Sequence, residues 1–427
     1  MRRPPRIAIL IVALTLLAAA CGDSGGDGGD SAADGSTATT APADDTTATT
    51  AGSTDTAAPA AERPVVKVGS VNSLTGPVPF PEASQAAAAV FDRYNNDPDG
   101  KLTIEYSIED DGADPALATQ AARKLVDDDG VVLMAGGASL VDCAVNGALY
   151  DDNGLYAIQG TGVDISCFTS RNIAPVNTGP YAGLTASLFF TSEILGHDSI
   201  CYVQFDAGTQ REPLTDAVQR WTDITGKELT SFDFYAPGDD FTPFVTKAID
   251  SGCTAVFEGG LDATAIAWNE AVAGQGASFD TVHFTSAYTA EAAQAIGSPA
   301  TRTYANSEFE PFTDISSPAL ADWVQLMNDN GIPLTSFGEG GYLAALAAIQ
   351  VLESAGIQPG DDTDVQRQKV EAAVLGMEPF ENPMLGSPYV FGDAEAHNPN
   401  QASKFVELVD GEWTTVTDDF IVLPDVK

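Results

Sequence analysis

The hydrophobic pattern of residues 65–285 alternates between two kinds of segment. Short runs rich in Val, Ile, Tyr and Phe predict strands, at residues 65–71, 102–108, 131–135, 155–159, 200–205, 230–234, 255–257 and 282–285. Between them, apolar residues at helical spacing predict helices, at residues 82–94, 115–126, 181–195, 211–224, 243–250 and 263–273. Nearly continuous apolar strands separated by helices are typical of parallel sheets that are buried on both faces.

The pattern changes after residue 300. Helices are predicted at residues 318–328, 342–355 and 365–375, and they are followed by a β-rich segment at residues 405–416. So many strand–helix units exceed one small sheet and fit either a closed barrel or two doubly wound lobes. A closed barrel would end on a helix, whereas a chain that crosses repeatedly between lobes can end on strands. The sequence therefore predicts an α/β fold of two doubly wound parallel-sheet lobes.

The composition indicates a folded body with a strongly acidic surface. The chain has 427 residues, of which 44% are hydrophobic and 19% are charged, so neither a wholly disordered chain nor a coiled coil is expected. Its 61 acidic and 19 basic residues give a formal charge of −42, which excludes binding to nucleic acid or to an anionic membrane through a basic patch. Such a surface can serve solubility in salt or crowding, or it can attract cationic ligands. We favour solubility, because the acids are scattered along the whole chain.

The first residues have the layout of a secretory signal. Arg2, Arg3 and Arg6 precede an apolar stretch at residues 7–20, which is shorter than the roughly 17–25 residues that cross a bilayer as a helix. Small residues then lead into Cys21, and this arrangement resembles the bacterial lipobox, in which the cysteine is lipidated and becomes the new N-terminus. The alternative is an ordinary cleaved signal that is followed by an unmodified cysteine.

The next segment has the composition of a tether. Residues 22–61 contain only Gly, Ser, Thr, Ala, Asp and Pro, and these side chains cannot form a core. A flexible linker of about 40 residues spans roughly 35 Å, which holds a globular body off its membrane. We therefore predict a signal peptide at residues 1–20, a lipidated Cys21 with a disordered linker at residues 21–64, and an extracytoplasmic body that is anchored to the cell membrane.

The remaining cysteines fit an oxidising compartment. Cys143, Cys167, Cys201 and Cys253 allow three pairings. Cys143 and Cys167 flank one predicted strand, whereas Cys201 and Cys253 each precede an apolar run of one later sheet. We therefore predict the disulfides Cys143–Cys167 and Cys201–Cys253. Four reduced thiols are the less favoured alternative outside the cytoplasm.

Motifs for catalysis are missing from the body at residues 65–427. It has no G-x-S-x-G, Walker, H-E-x-x-H or C-x-x-C motif, and His197, His283 and His397 stand far apart without a local partner. The run of residues 338–341 (Gly-Glu-Gly-Gly) fits close helix packing better than a phosphate loop. Residues 95–100 fit a turn better than a calcium loop. We predict no enzymatic activity, no cofactor and no metal.

The body resembles a known family. Residues 65–69, followed by residues 73–77 (Ser-Leu-Thr-Gly-Pro), are similar to the opening of the branched-chain amino-acid-binding proteins of ABC transporters, where a first strand delivers an S/T-G-P loop to the ligand. The similarity continues in the same order along the chain. It includes an acidic strand end with the helix that follows (residues 108–125), a strand that ends in a Gly-Ser loop (131–139), the segment before the next strand (150–154) and the closing crossover with its hairpin (386–413). The resemblance covers about residues 65–413.

The resemblance implies the type I periplasmic binding protein fold, in which two lobes are joined by three connections. The implied lobes are residues 65–182 with 309–390 for lobe 1, and residues 183–308 with 391–427 for lobe 2. The connections are expected near residues 179–181, 308–311 and 386–400. Ligands of open α/β sheets bind beyond the carboxyl ends of the strands, so two facing lobes place two such edges around one cleft.

The loops at these strand ends supply the implied ligand-binding residues. They offer backbone N–H groups and short hydroxyls, which suit a carboxylate or an amide. The set implied by the resemblance is Thr75, Gly76, Phe80, Ser139, Thr161, Gly162, Tyr181, Asp206, Glu258 and Tyr288. The family's amino-acid binders hold the α-ammonium group with two acidic residues, and Tyr181 and Tyr288 stand near those places here. Only Asp206 and Glu258 could substitute for them.

The sequence thus predicts a lipid-anchored, monomeric solute-binding protein. It would capture a small polar ligand, such as an amino acid, an amide or a related compound, and deliver it to the permease subunits of an ABC importer. The alternative is a ligand-sensing lipoprotein without a transport partner.

Overall fold

The structure, a computed structural model, describes residues 62–206, 208, 210–392, 397 and 400–424. The predicted signal peptide, Cys21 and nearly all of the predicted linker lie outside these residues. Within the described ranges, every helix is too short or too polar to cross a bilayer.

The first sheet contains four parallel strands in the order β2-β1-β3-β4. They are β1 (Val65–Asn72), β2 (Thr103–Asp110), β3 (Leu133–Ala135) and β4 (Ala157–Ile158). Strands β1 and β2 pair along their whole length, and Asn72 stands opposite Asp110 at their carboxyl ends. Both strands therefore deliver their loops to the same edge of the sheet.

Helices follow the strands of this sheet. They are α1 (Pro81–Asn96), α2 (Pro115–Arg123), α3 (Asp142–Asp152) and α4 (Ile165–Thr169), and α2 continues as a π-helical segment, Lys124–Asp129. The start of α2 is capped by Asp114, whose carboxylate accepts hydrogen bonds from the backbone N–H groups of Ala116 (2.8 Å) and Leu117 (3.0 Å). Pro115 occupies the first helical turn, where its missing N–H costs no hydrogen bond.

The second sheet has the order β11-β10-β9-β8-β7-β5-β6. Its parallel strands are β5 (Ile200–Phe205), β6 (Ser231–Tyr235), β7 (Ala255–Gly259), β8 (Asp280–His283) and β9 (Thr303–Ser307). The helices between these strands, and before the first of them, are α5 (Gly179–Phe189), α6 (Arg211–Thr225), α7 (Thr242–Asp250), α8 (Asp262–Gln275) and α9 (Ala290–Ile296).

The chain then returns to the first sheet before it finishes on the second. Helices α10 (Ala321–Asn330), α11 (Ser336–Ser354) and α12 (Thr363–Leu375) pack with the first sheet and its helices. The antiparallel strands β10 (Ala402–Val409), β11 (Glu412–Thr415) and β12 (Ile421–Val422) extend the second sheet from β9. We call the first sheet with α1–α4 and α10–α12 lobe 1, and the second sheet with α5–α9 lobe 2.

The glycine run at residues 338–341 lies at the start of α11, where α11 crosses α1. A side chain on Gly341 would collide with the backbone carbonyl of Ala83 in α1, and one on Gly340 would collide with the carbonyl of Gly160 after β4. The run therefore serves close packing, as the sequence predicted, and it brings the start of α11 against the carboxyl end of β4.

The predicted cysteine pairs lie together. The Cα atoms of Cys143 and Cys167 are 5.1 Å apart, and those of Cys201 and Cys253 are 5.9 Å apart, with the sulfurs of each pair at bonding distance. The first pair joins α3 to α4, and the second joins β5 to the segment before β7. That both pairs are oxidised in the cell stays a prediction.

The α/β class with parallel sheets is confirmed, but some elements were missed. Strand β9 was not predicted, because Tyr304 is its single large apolar residue and its burial comes from lying between β8 and β10. Helix α3 was missed because its buried face is polar: Asn146 and Tyr150 both donate to the carboxylate of Asp142. In both cases, tertiary packing replaces the apolar periodicity from which elements are predicted.

Candidate functional site

The loop after β1 is held to the end of β2. Both the backbone N–H (3.1 Å) and the hydroxyl (2.5 Å) of Thr75 donate to Asp110. Burial raises the pKa of Asp110, but the hydrogen bonds from Thr75, Gly112 and Leu74 outweigh it and hold that pKa below its ordinary value. Gly76 has a φ of +106°, and a side chain there would collide with the carbonyl of Gly112. Thr75 and Gly76 are exposed at this edge of lobe 1.

Phe80 and Ser139 lie inside lobe 1 rather than on its surface. The ring of Phe80 packs 4.3 Å from that of Phe337 at the start of α11. The hydroxyl of Ser139 donates to Asp111 and accepts from the backbone N–H of Asp142 (2.9 Å), the first residue of α3. Ser139 thus anchors the start of α3, and its hydroxyl is occupied by protein groups.

The loop after β4 is fixed by the chain that leaves lobe 1. The N–H of Gly162 donates to the side-chain carbonyl of Asn177 (2.8 Å), whose amide donates back to the carbonyl of Gly162 (3.2 Å). Thr161 forms a parallel bridge with Ala138 and is 5% exposed. The structure therefore brings the loops after β3 and β4 together.

The two acidic residues of lobe 2 are both paired. Glu258 at the end of β7 is fully buried, and its carboxylate accepts from the hydroxyl of Tyr235 (2.6 Å) and contacts Nδ1 of His283 (2.9 Å). Asp206 at the end of β5 pairs with Arg211 (2.5 Å), and the hydrogen bond from Arg211 is the main cause that lowers the pKa of Asp206.

Tyr288 belongs to the packing between β8 and the segment that leaves lobe 2. Its hydroxyl bonds Thr313 (2.7 Å), and its ring packs against Phe312 (4.2 Å) and Trp413 (5.8 Å). Tyr288 is 2% exposed, so it is not presented to the space between the lobes.

Tyr181 lies in the first turn of α5 and lines a cavity of about 580 Å³. Burial is the main cause that raises the pKa of its phenol, the Asp164 carboxylate raises that pKa further, and the backbone N–H of Ile165 lowers it. The hydroxyl oxygen is enclosed and has no hydrogen bond of normal geometry within the described chain. Residues of α4, α5 and α6 form the walls of what we call the α4–α5–α6 cavity: Ile165, Thr169, Tyr181, Ala182, Thr185, Glu212, Pro213, Asp216, Ala217 and Arg220.

Sequence reasoning missed the part that α6 plays in this cavity. Glu212 and Asp216 stand one turn apart on α6 and line the cavity. The available signal was position: the helix predicted at residues 211–224 starts directly after the strand end at Asp206. Its first turns must then lie at the same edge of the sheet as that strand end.

Glu308, also missed, lies where the three connections between the lobes meet. Its Oε1 accepts from the backbone N–H of Gly179 (2.6 Å) and from Nδ2 of Asn177 (3.0 Å), and its backbone carbonyl accepts from Nδ2 of Asn400 (2.7 Å). Burial raises the pKa of Glu308 to about 7 against the effect of the first two hydrogen bonds. Glu308 therefore links the chain segments that any movement of the lobes must bend: its carboxyl group binds the first connection and its backbone carbonyl binds the third.

Two further carboxylates lie near Glu308. Glu310 pairs with Lys404 of β10 (2.8 Å). Glu339 in α11 is fully buried without a partner for either oxygen among the described residues, and burial, followed by the charges of Glu310 and Glu308, raises its pKa well above the ordinary value. In the part of the chain that the structure describes, no group of three or more His, Cys, Asp or Glu residues could hold a metal ion.

Comparisons with known proteins agree with this architecture. A family model described as "Periplasmic binding protein" matches residues 65–412. No curated protein matches the sequence. Among solved structures, the leucine-binding protein LivK of Thermotoga maritima is 13% identical with a TM-score of 0.67, and the alignment covers 84% of this chain and 99% of that one.

Two further solved structures are similar over the same span. The branched-chain amino-acid transporter substrate-binding protein LivJ of Streptococcus pneumoniae, in complex with isoleucine, is 16% identical (TM-score 0.64; 84% of this chain, 99% of that one). An ABC transporter substrate-binding protein of Sphaerobacter thermophilus is 17% identical (TM-score 0.67; 84% and 98%). The resemblance read from the sequence is confirmed, and so is the prediction that the chain binds a ligand outside the cytoplasm rather than catalysing a reaction. The chain belongs to the periplasmic binding protein family.

Proposed function

We propose that the chain is the solute-binding component of an ABC importer, which captures a small polar ligand between lobe 1 and lobe 2. The ligand class is an amino acid, an amide or a related compound. Family membership supports the binding role, and the names of the leucine-binding and isoleucine-bound neighbours support the ligand class.

The position of the α4–α5–α6 cavity carries this proposal. Helix α4 follows β4 in lobe 1, and α6 follows β5 in lobe 2, so the cavity lies at the carboxyl edges of both sheets. That edge is where open α/β sheets bind their ligands. Its volume of about 580 Å³ falls within the roughly 300–1,000 Å³ of small-molecule sites.

The connections between the lobes support a closing movement. Gly179 begins α5 with a φ of +73°, and a side chain there would collide with the ring of Phe168 in α4. Three connections that converge on Glu308 restrict the lobes to a hinge motion, which would bring α4 towards α6 around a ligand. The lobe bounds at residues 65–182 with 309–390 and 183–308 with 391–427 are part of this proposal.

The proposal is tested by filling the cavity. Small molecules that co-purify with the full chain are identified by mass spectrometry, and their affinity is measured by calorimetry for Ala182→Trp. The indole would occupy the cavity wall of α5, so we expect at least a tenfold loss of affinity. Ala372→Trp on the exposed face of α12 is the matched control, with unchanged affinity expected. A variant Ala182→Trp that is folded and binds normally would contradict the site.

The lipid anchor and the disulfides complete the proposal. Cys21→Ser should release the body into the medium, and retention in the membrane fraction would contradict lipidation.

Non-reducing peptide mapping should find Cys143 with Cys167 and Cys201 with Cys253; any link between the two pairs would contradict the pairing. The ABC partner is tested by ligand uptake in cells that lack only this chain, where uptake should fall.

A further inference from the structure

Helix α4 forms the lobe 1 wall of the α4–α5–α6 cavity through Ile165 and Thr169. It has five residues, and a helix this short does not form in isolation. Its start is capped by Asp164, whose carboxylate accepts a hydrogen bond from the backbone N–H of Ser166 (2.9 Å). Because this cap lies within the same short segment, it does not fix where α4 stands. The position of this wall therefore depends on contacts with the rest of lobe 1.

A cysteine pair lies directly behind this wall. Cys167 stands in α4 between Ile165 and Thr169, and it faces the other side of the helix, because residues two apart are separated by roughly 200° around a helix axis. It is fully buried next to Cys143 of α3, which is also buried, and the two sulfurs are at bonding distance. In its predicted oxidised form, this pair is a covalent tie between the wall and α3.

The same pair supports the loop that leads from β4 into α4. A side chain on Gly162 would come within 2.9 Å of Cβ of Cys167, so the loop packs directly on the bridge. At the other end of the loop, Sγ of Cys143 lies 2.9 Å from Oε1 of Gln159, the residue that follows β4. The bridge therefore contacts both ends of this loop as well as α4.

The second cysteine pair lies at the edge of lobe 2 that is remote from the cavity. Cys201 is the second residue of β5, and Cys253 precedes β7, so both stand at the amino ends of parallel strands. The sequence separation of this pair is 52 residues, against 24 for Cys143 and Cys167. In the chain-entropy model, the bridge that closes the longer loop stabilises the fold more. The bridge that is remote from the cavity should therefore matter at least as much for stability.

We propose that the Cys143–Cys167 disulfide positions the lobe 1 wall of the ligand site, and that ligand affinity depends on it. This inference rests on the proposed function and gives the disulfide a role beyond stability. With the bridge intact, Ile165 and Thr169 are in place before the ligand arrives. Without it, α4 samples other positions, and the apparent affinity falls in proportion to the fraction of molecules whose wall is in place.

The test compares two double variants of the full chain. Cys143→Ala with Cys167→Ala removes the first bridge, and Cys201→Ala with Cys253→Ala is the matched control. Hydrogen exchange followed by mass spectrometry should be at least about tenfold faster at residues 165–170 in the first variant and unchanged there in the control. Calorimetry should find an affinity loss of about tenfold in the first variant and of less than about twofold in the control. The probes are L-isoleucine and the small molecule that co-purifies with the unsubstituted chain.

A role in stability alone predicts a different pattern. The control would then lose at least as much affinity as the first variant, or neither would lose any. Equal affinity losses in the two double variants would therefore overturn the inference, and so would faster exchange at residues 165–170 with unchanged affinity. Unchanged exchange at these residues would overturn it as well, as would peptide mapping that finds no Cys143–Cys167 bridge in the unsubstituted chain.

A second comparison keeps both cysteine side chains in place. The control variant with Cys21→Ser added retains Cys143 and Cys167 as its remaining cysteines, and it is purified with reduced thiols and then oxidised. Oxidation should raise the affinity by about tenfold and slow the exchange at residues 165–170. A reduced form that is unfolded, or one that binds as tightly as the oxidised form, would overturn the inference.

The failures of the two proposals are distinguishable. An Ala182→Trp variant that binds normally would contradict the site of the proposed function, and the exchange at residues 165–170 does not depend on that result. If Ala182→Trp abolishes binding while both double variants bind as the unsubstituted chain does, the solute-binding role is retained and the inference about the disulfide is overturned.

Discussion

The strand-end loops of the two lobes use polar side chains in different ways. In lobe 1, the hydroxyls of Ser73 and Ser139 both donate to the buried carboxylate of Asp111, so short uncharged groups hold the loops after β1 and β3 in place. In lobe 2, the buried carboxylate of Glu258 instead meets the basic ring of His283. The carboxylate at the lobe 1 edge is held by two serine hydroxyls, and the carboxylate at the lobe 2 edge by a tyrosine hydroxyl and an imidazole ring.

The difference shows that the position of a residue at a strand end predicts a polar side chain, but it does not predict whether that side chain is free to bind a ligand. The polar groups at a buried strand end form hydrogen bonds with other protein groups. The side chains of Ser139 and Glu258 are occupied in this way. Groups that remain free lie one step further along the chain, in the first turns of the following helices, such as Glu212 of α6.

The largest effect is expected at the buried Glu258 of lobe 2. Glu258→Ala leaves His283 and the Tyr235 hydroxyl buried without their partner. At about 1–3 kcal/mol for each group left unsatisfied, we expect a loss of about 2–6 kcal/mol in the free energy of unfolding. Urea unfolding followed by fluorescence measures it. Asp206→Ala breaks a solvent-exposed pair and should change stability little. Similar losses of unfolding free energy in both variants would contradict a larger contribution from the buried Glu258.

A pH dependence is expected at the hinge. The pKa of Glu308 is raised to about 7 in the folded chain, above its ordinary value of about 4.3 in an unfolded one. The folded state then holds the proton more tightly, so stability is greatest at low pH and falls as pH rises through this window. Glu308→Gln keeps an acceptor for Gly179 and cannot ionise.

The measurement for Glu308 is the unfolding free energy of both proteins between pH 5 and pH 8. The stability advantage of Glu308→Gln over the unsubstituted chain should grow by about 3 kcal/mol between pH 5 and pH 8. Part of this difference comes from Glu339, because the charge of Glu308 contributes to raising the pKa of that carboxyl group. A difference that stays constant across this range would contradict the raised pKa.

The smallest effect is expected at the hydroxyl-based edge of lobe 1. Ser139→Ala removes a donor to Asp111 and the acceptor for the first N–H groups of α3, so we expect a loss of about 1–2 kcal/mol. Ser316→Ala, at an exposed turn, is the control and should stay within about 0.5 kcal/mol. If ligand affinity fell in Ser139→Ala while stability did not, Ser139 would be a ligand contact, as the resemblance implied.

Most of the fold could be predicted from the sequence, because hydrophobic periodicity and turn residues are local features of the chain. The alternation of strands and helices and the proximity of the cysteine pairs could both be predicted from it. Strand β9 could not, since Tyr304 is its single large apolar residue and the strand is recognised by its place between β8 and β10. The enclosure of Glu258 by Tyr235 and His283 could not be predicted either, because it depends on three separate strands coming together.

Solution scattering tests the central claim most directly. The radius of gyration of the full chain is measured with and without the small molecule that co-purifies with it, and for Ala182→Trp under the same conditions. If the ligand is captured between lobe 1 and lobe 2 by a hinge at Glu308, the radius must shrink on binding in the unsubstituted chain and stay constant in Ala182→Trp. A ligand that binds tightly and leaves the radius unchanged would contradict the capture between lobes.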